Sequence, residues 1–173
     1  MREGSGGARA ALQQCQMDAG GTNGSLGNAT AVGTSTWNLY YYNTTDYSFP
    51  ISSFRRTNTG GTSAANSASL NLSFPGAPTG VGQNCGTAMN DNFSLKALLT
   101  RTFTKGIYTI QSGADDWSRI RINGSSFINE HGSCCTTQST NVAFDGNTQA
   151  LEYQMRETGG PGSTTVNISC SDA

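Results

Sequence analysis

Charge is scarce in this chain. Only 12% of its 173 residues are Asp, Glu, Lys or Arg, and the formal net charge is −1. So neutral a surface does not hold a polyanion, which excludes electrostatically driven binding to nucleic acid or to an anionic membrane. Long apolar runs are also missing. No stretch reaches the roughly 20 residues of a membrane helix, so no membrane insertion is expected. No basic-then-apolar leader opens the sequence either, and "MREGSGG" reads as a tag remnant or a cut from a longer parent. Histidine occurs once, at His131, with no Ser/His/Asp or Cys/His arrangement recognisable around it. It suits a loop beside a disulfide better than a catalytic role, and the chain is expected not to be an enzyme.

What fills the sequence instead is glycine, 22 in all, with Ser, Thr and Asn crowding the gaps between apolar positions. Residues 8–17, "ARAALQQCQM", form the one convincing helical stretch, and a polar glycine-rich linker follows to residue 35. From residue 36 onward the period is two. "TWNLYYYN" sets Trp37, Leu39 and Tyr41 against Asn38, Tyr40 and Tyr42. "SLNLSF" alternates through Leu70, Leu72 and Phe74, after a loop-like stretch from 55 to 68. "NFSLKALL" and "GIYTIQ" read as strands joined by a turn near Lys105–Gly106. "SRIRI" turns Ile120 and Ile122 inward against Arg119 and Arg121, and Asn123–Gly124 signals a type I′ turn into "SSFIN". "ALEYQMRE" and "TTVNIS" close the pattern with Leu151, Tyr153, Met155, Val166 and Ile168. Eight or so short strands without a repeat predict an all-β fold, an antiparallel two-sheet β-sandwich over 36–173. Residues 1–35 are then a leader of linker and short helix.

Five cysteines, Cys15, Cys85, Cys134, Cys135 and Cys170, show neither CxxC nor Cys/His zinc spacing. Buried thiols and disulfides are both open readings. Seven Asn-x-Ser/Thr sequons, at Asn23, Asn28, Asn43, Asn71, Asn92, Asn123 and Asn167, favour disulfides and an extracellular or cell-surface glycoprotein. Five is odd, so one thiol is free or pairs outside the chain.

Asp115–Asp116 stands out in so uncharged a sequence. A solvated turn explains such a pair, since Asp favours turns. A shared cation explains it as well: calcium takes six to eight oxygens at about 2.3–2.6 Å, and neighbouring carboxylates repel without one. Side chains of adjacent residues normally diverge, and a cis Asp–Asp peptide would aim both the same way. Hydrolysis of a sugar bond fits less well, because it needs two carboxyls roughly 5–10 Å apart across the bond.

The block "DNFSLKALLTRTFTKGIYTIQSGADDWSRIRINGSSFI" resembles the middle of a protective-antigen (PA-14) domain. That pattern runs Gly-x-Tyr-Thr-aliphatic, an aspartate pair, then Arg-hydrophobic-x-hydrophobic-Asp/Asn-Gly. "TWNLYYYNTTDYS" resembles its opening strand and "ALEYQMRETGGPGSTTVNIS" its closing hairpin, so the likeness spans about 36–169. "NEHGSCC" further resembles fungal flocculins and epithelial adhesins, which carry a vicinal cysteine pair after the same hairpin. The resemblance implies that Cys134 and Cys135 each pair with Cys15 or Cys170, leaving Cys85 unpaired. A bond from Cys85 to one of the pair, and a vicinal Cys134–Cys135 bridge, stay open.

For the site, the resemblance implies a calcium-dependent, lectin-like domain. Asp115 and Asp116 would hold Ca2+ through a cis peptide. "RETGGPG" would add the Glu157 side chain and the carbonyls of Gly159 and Pro161. The lectins often have Asn where Glu157 stands, which makes this site more anionic. Trp117 could stack on a pyranose, or pack as an edge aromatic. The expected partner is a terminal hexose of a surface glycan, with Asn43–Thr45, Asp46 and Asn90–Asp91 as further candidate contacts. "FDGN" at Asp145–Asn147 resembles a calcium-loop fragment, although a tight turn explains it better. A second expectation is a filament or pilin-like head domain without sugar binding, self-associating through its N-terminal segment or Cys85.

Overall fold

A computed structural model describes residues 36–42, 44–47, 50–57, 66–74, 92–132 and 134–171. These form ten strands: β1 (Thr36–Tyr42), β2 (Pro50–Thr57), β3 (Ser67–Phe74), β4 (Phe93–Thr102), β5 (Gly106–Asp115), β6 (Trp117–Ile122), β7 (Ile128–His131), β8 (Thr137–Phe144), β9 (Thr148–Glu157) and β10 (Gly162–Cys170). One sheet runs β2-β1-β4-β9-β6-β7 and the other β3-β10-β5-β8. Every pairing is antiparallel. Among the described residues there is no helix, and none long and apolar enough to cross a membrane. The expected helix at 8–17 lies outside them.

The alternating faces make the core. Trp37, Leu39, Leu95, Ala97, Leu99, Ile120, Leu151, Tyr153 and Met155 come from the six-stranded sheet. Leu70, Tyr108, Ile110, Val166 and Ile168 meet them from the four-stranded one. Each of the large side chains among them contributes roughly 1.5–3 kcal/mol on burial, which sets the register of every strand that carries one. Buried polar groups tie the layers together. The Trp37 indole donates to the Ser69 carbonyl at 2.9 Å, and the Tyr153 hydroxyl to the Gly113 carbonyl at 2.8 Å. Asn129, at φ 51°, donates to the Ile110 carbonyl at 2.9 Å.

Two expectations change. The stretch from 55 is not all loop, because β2 extends to Thr57 by pairing with β1. β8 is an extra strand, mostly exposed at a sheet edge. Backbone hydrogen bonds hold it on its paired side, and polar residues make these as well as apolar ones, so this mostly exposed strand needs no apolar alternation. β4 and β5 are joined by a short connection at 103–105, as expected, and across it the chain passes from one sheet to the other. The Asn123–Gly124 turn is present, with φ of 51° and 70° and Ser125 N–H donating to the Ile122 carbonyl at 2.9 Å.

Candidate metal centre

Two places where the chain changes sheets lie side by side at one end of the sandwich. In the first, β5 ends at Asp115 in the four-stranded sheet and β6 begins at Trp117 in the six-stranded sheet, leaving Asp116 alone to make the step. The Asp115–Asp116 peptide is cis. In the second, β9 ends at Glu157 and β10 begins at Gly162 on the opposite sheet. The corners are laced together. Asp116 N–H donates to the Arg156 carbonyl at 3.1 Å, and Thr158 N–H donates to Asp116 Oδ2 at 2.9 Å, joined there by the Thr158 hydroxyl. Asp115 stands opposite Ser163 in the β5–β10 register.

This places one carboxylate oxygen from each of Asp115, Asp116 and Glu157 within 4.8 Å of one another. Oxygens on opposite sides of an ion bound at about 2.4 Å are separated by about 4.8 Å, so the three can share a hard cation. Glu157 decides the character of the group. Its side chain is fully buried, Oε1 accepts from Gly159 N–H at 2.8 Å, and Oε2 has no hydrogen-bond partner. Burial, and then the Asp116 and Asp115 charges, push its carboxyl up to about 7 against the pull of the Gly159 bond. Asp115 is also raised, first by burial and then by Asp116. Asp116 is held below the ordinary range, chiefly by the Thr158 hydroxyl. An orphaned buried oxygen beside two further carboxylates fits a hard, oxygen-seeking cation.

Two glycines shape the second corner. Gly160 takes φ 95°, which a side chain resists. A Cβ on Gly162 would lie 2.7 Å from Glu157 Oε2, so a side chain there would displace that carboxylate from where it now sits. Gly159 and Pro161 are exposed on the same loop, where their carbonyls remain candidates. Thr158 and Gly162 were missed from sequence. Thr158 follows the expected ligand directly, and a hydroxyl beside a glutamate in a glycine-rich turn is the signal that could have found it.

Trp117 follows the pair, but its ring already has company. The Arg156 guanidinium lies 4.1 Å from the ring centroid and that of Arg119 5.0 Å. Thr44–Tyr47 pack over the same end: the Thr44 carbonyl accepts from the Ser94 hydroxyl at 2.6 Å, and Tyr47 donates to the Met155 carbonyl at 3.2 Å. Asn43, Asn90 and Asp91 lie outside the described residues. Asp145–Asn147 is a tight turn, with Asn147 N–H donating to Asp145 Oδ1 at 3.0 Å and Gly146 at φ 94°.

The cysteines differ from the pattern the resemblance implied. Cys134 and Cys135 are bonded to each other, and Cys170 is a free thiol. The register explains why Cys170 is no partner. It stands opposite Tyr108, whereas Cys135 N–H donates to the Ala114 carbonyl. Six residues along β5 separate these points by about 20 Å, far beyond the Cα spacing of a disulfide. Cys15 and Cys85 lie outside the described residues.

No protein-family model matches the chain, and no curated protein matches it. Solved structures do. The epithelial adhesin 6 A domain from Candida glabrata, in complex with Galβ1-3GlcNAc, is similar at TM-score 0.55 and 11% identity, covering 85% of this chain and 84% of that one. A PA14 sugar-binding domain from an RTX adhesin is similar at TM-score 0.51 and 12% identity, covering 82% and 93%. An anti-sigma factor domain-containing protein is similar at TM-score 0.60 and 15% identity, covering 80% of this chain; this chain spans only 43% of that protein. The fold is thus the PA14 sandwich that the sequence resembled.

Proposed function

We propose, from the premise of a PA14-type fold, that this is a calcium-dependent carbohydrate-binding domain of adhesin type, from a secreted or cell-surface protein. The observation that carries the reading is the convergence of Asp115, Asp116 and the buried, half-satisfied Glu157 where the two corners meet. When bound, calcium supplies open coordination for vicinal sugar hydroxyls. Asp115 and Asp116, turned together by the cis peptide, and Glu157 from the facing corner would hold it, with the Gly159 and Pro161 carbonyls as companions. Thr158 keeps Asp116 ionised and aimed, and Gly162 keeps space for Glu157. Three carboxylates gathered this tightly suit a shared cation better than a hydrolytic pair set across a bond, so the domain is read as a binder and not an enzyme.

Sugar-bound solved neighbours support a terminal hexose as the ligand class. The test is calorimetry: calcium alone, then a hexose panel with and without calcium. The reading expects one calcium per domain, sugar binding abolished by chelator, and both lost in Asp115→Ala. Calcium uptake that survives Asp115→Ala moves the site elsewhere, and a protein taking up no calcium ends the lectin reading.

A further inference from the structure

The carboxylate cluster accounts for sugar hydroxyls but not for the apolar face that every pyranose ring also presents. Lectin sites cover that face with an aromatic, and the nearest one here is engaged, since Arg156 and Arg119 crowd the half-buried Trp117 ring. A second group of side chains also meets Asp115. Both Cys134 and Cys135 are exposed, and their sulfurs and an Asp115 carboxylate oxygen lie within 4.8 Å of one another. Asp115 is therefore common to the carboxylate cluster and the disulfide.

We propose that the Cys134–Cys135 disulfide is a wall of the glycan site, an apolar platform on which the C–H face of a calcium-held hexose rests; this depends on the calcium reading above. A disulfide between adjacent residues closes a small ring of sulfurs, methylenes and one peptide. Its sulfurs have no proton to donate and are poor ligands for a hard cation, so beside Asp115 they line the site without competing for the ion. Divalent sulfur is polarisable and makes favourable contacts with apolar groups. The ring is also fixed in place. Cys135 N–H donates to the Ala114 carbonyl at 3.2 Å, and the residue takes φ 72°. Thr136 lies against β5 so closely that a Cβ on Gly113 would be 2.4 Å from the Thr136 carbonyl oxygen, and its hydroxyl is 2.7 Å from His131 Nε2. A platform held before the ligand arrives costs little ordering on binding.

Calorimetry on the wild type and on a Cys134→Ser/Cys135→Ser double variant tests this. Calcium is titrated alone, and then lactose, methyl α-mannoside and N-acetylglucosamine at saturating calcium. The double variant is expected to keep calcium affinity within about twofold while the best sugar of the panel binds about tenfold more weakly. Peptide mapping of the unreduced protein is expected to find Cys134 bonded to Cys135. Calcium-dependent sugar binding that is indifferent to the double substitution overturns the platform and leaves the lectin reading standing. A bond from either cysteine to another residue also overturns it. If the wild type binds neither calcium nor any sugar of the panel, the lectin reading falls and takes the platform with it. Should the double variant lose its melting transition, reduction of the wild type replaces it. Sugar affinity that drops on reduction and returns on reoxidation supports the platform, and affinity that does not move overturns it.

Discussion

Glu157 is a carboxyl in a place where water would ordinarily be needed, and its proton reports whether a cation replaces that water. Burial lifts the folded group to about 7 from an ordinary 4.5. Between those values the unfolded chain has released its proton and the folded chain has not. The metal-free protein therefore loses stability as pH rises through that window, and is level above it. Asp115, raised in the same direction, adds to the slope at its acid end. Asp116, held low, contributes stability that is lost only as pH falls through its depressed value, well below the window. In thermal melts with chelator from pH 5 to pH 8, Glu157→Gln should flatten the slope and raise the midpoint at pH 8 by about 3–6 °C. The same substitution should weaken calcium at least tenfold, and wild-type calcium affinity should climb with pH until about 7. Gly162→Ala probes the same pocket from outside. Its added carbon would press on Glu157 Oε2 from 2.7 Å, and a loss of about 1–3 kcal/mol is expected. A variant that melts with the wild type and binds calcium equally well would remove Glu157 from the ligand set.

At the scale of elements, the site belongs to corners rather than strands. Asp115 reaches it from β5 and Glu157 from β9, and the Tyr153 hydroxyl on the Gly113 carbonyl, two residues before Asp115, ties those strands together across the layers. Tyr153→Phe removes that link between the layers. It should cost about 0.5–1.5 kcal/mol in denaturant melts and weaken calcium several-fold without touching a ligand. Unchanged calcium affinity would mean that the corners hold their own geometry. The same contrast explains what could be read from the chain. Strands with one buried face, such as "SRIRI" and "ALEYQMRE", announce themselves by period two, and so the core was legible. β2 and β8 were not, because "PISSFRRT" and "TQSTNVAF" are mainly polar and carry too little apolar alternation to announce a strand, whereas β3, equally at an edge, alternates through "SLNLSF". In the site, the adjacent aspartates were visible as a charge anomaly. Thr158 and Gly162 were not, since their roles depend on which two corners the fold sets together. The bond between Cys134 and Cys135 was left open for the same reason: only the register shows Cys170 to be at the far end of β5.

For the molecule as a whole, the lectin reading implies weak single-site binding, so adhesion would draw on many copies. The placement of the three carboxylates would make a bound cation a structural clip. Asp115 belongs to the four-stranded sheet and Glu157 to the six-stranded one, so an ion shared between them joins the layers where three like charges otherwise push apart. Binding to the folded state alone stabilises by mass action. Calcium at about a hundred times its dissociation constant adds about 2.7 kcal/mol. For a domain of this size that corresponds to a midpoint about 5–11 °C higher. Chelator should reverse the rise, and Asp115→Ala should abolish it. Magnesium should give much less, because it demands a smaller and more rigid octahedron than two corners and a glycine-rich loop provide. The measurement is a melt by scanning calorimetry across a calcium series. A midpoint unmoved by millimolar calcium would leave the sandwich as it is and remove the clip, because no ion could then be bridging the two sheets at that end.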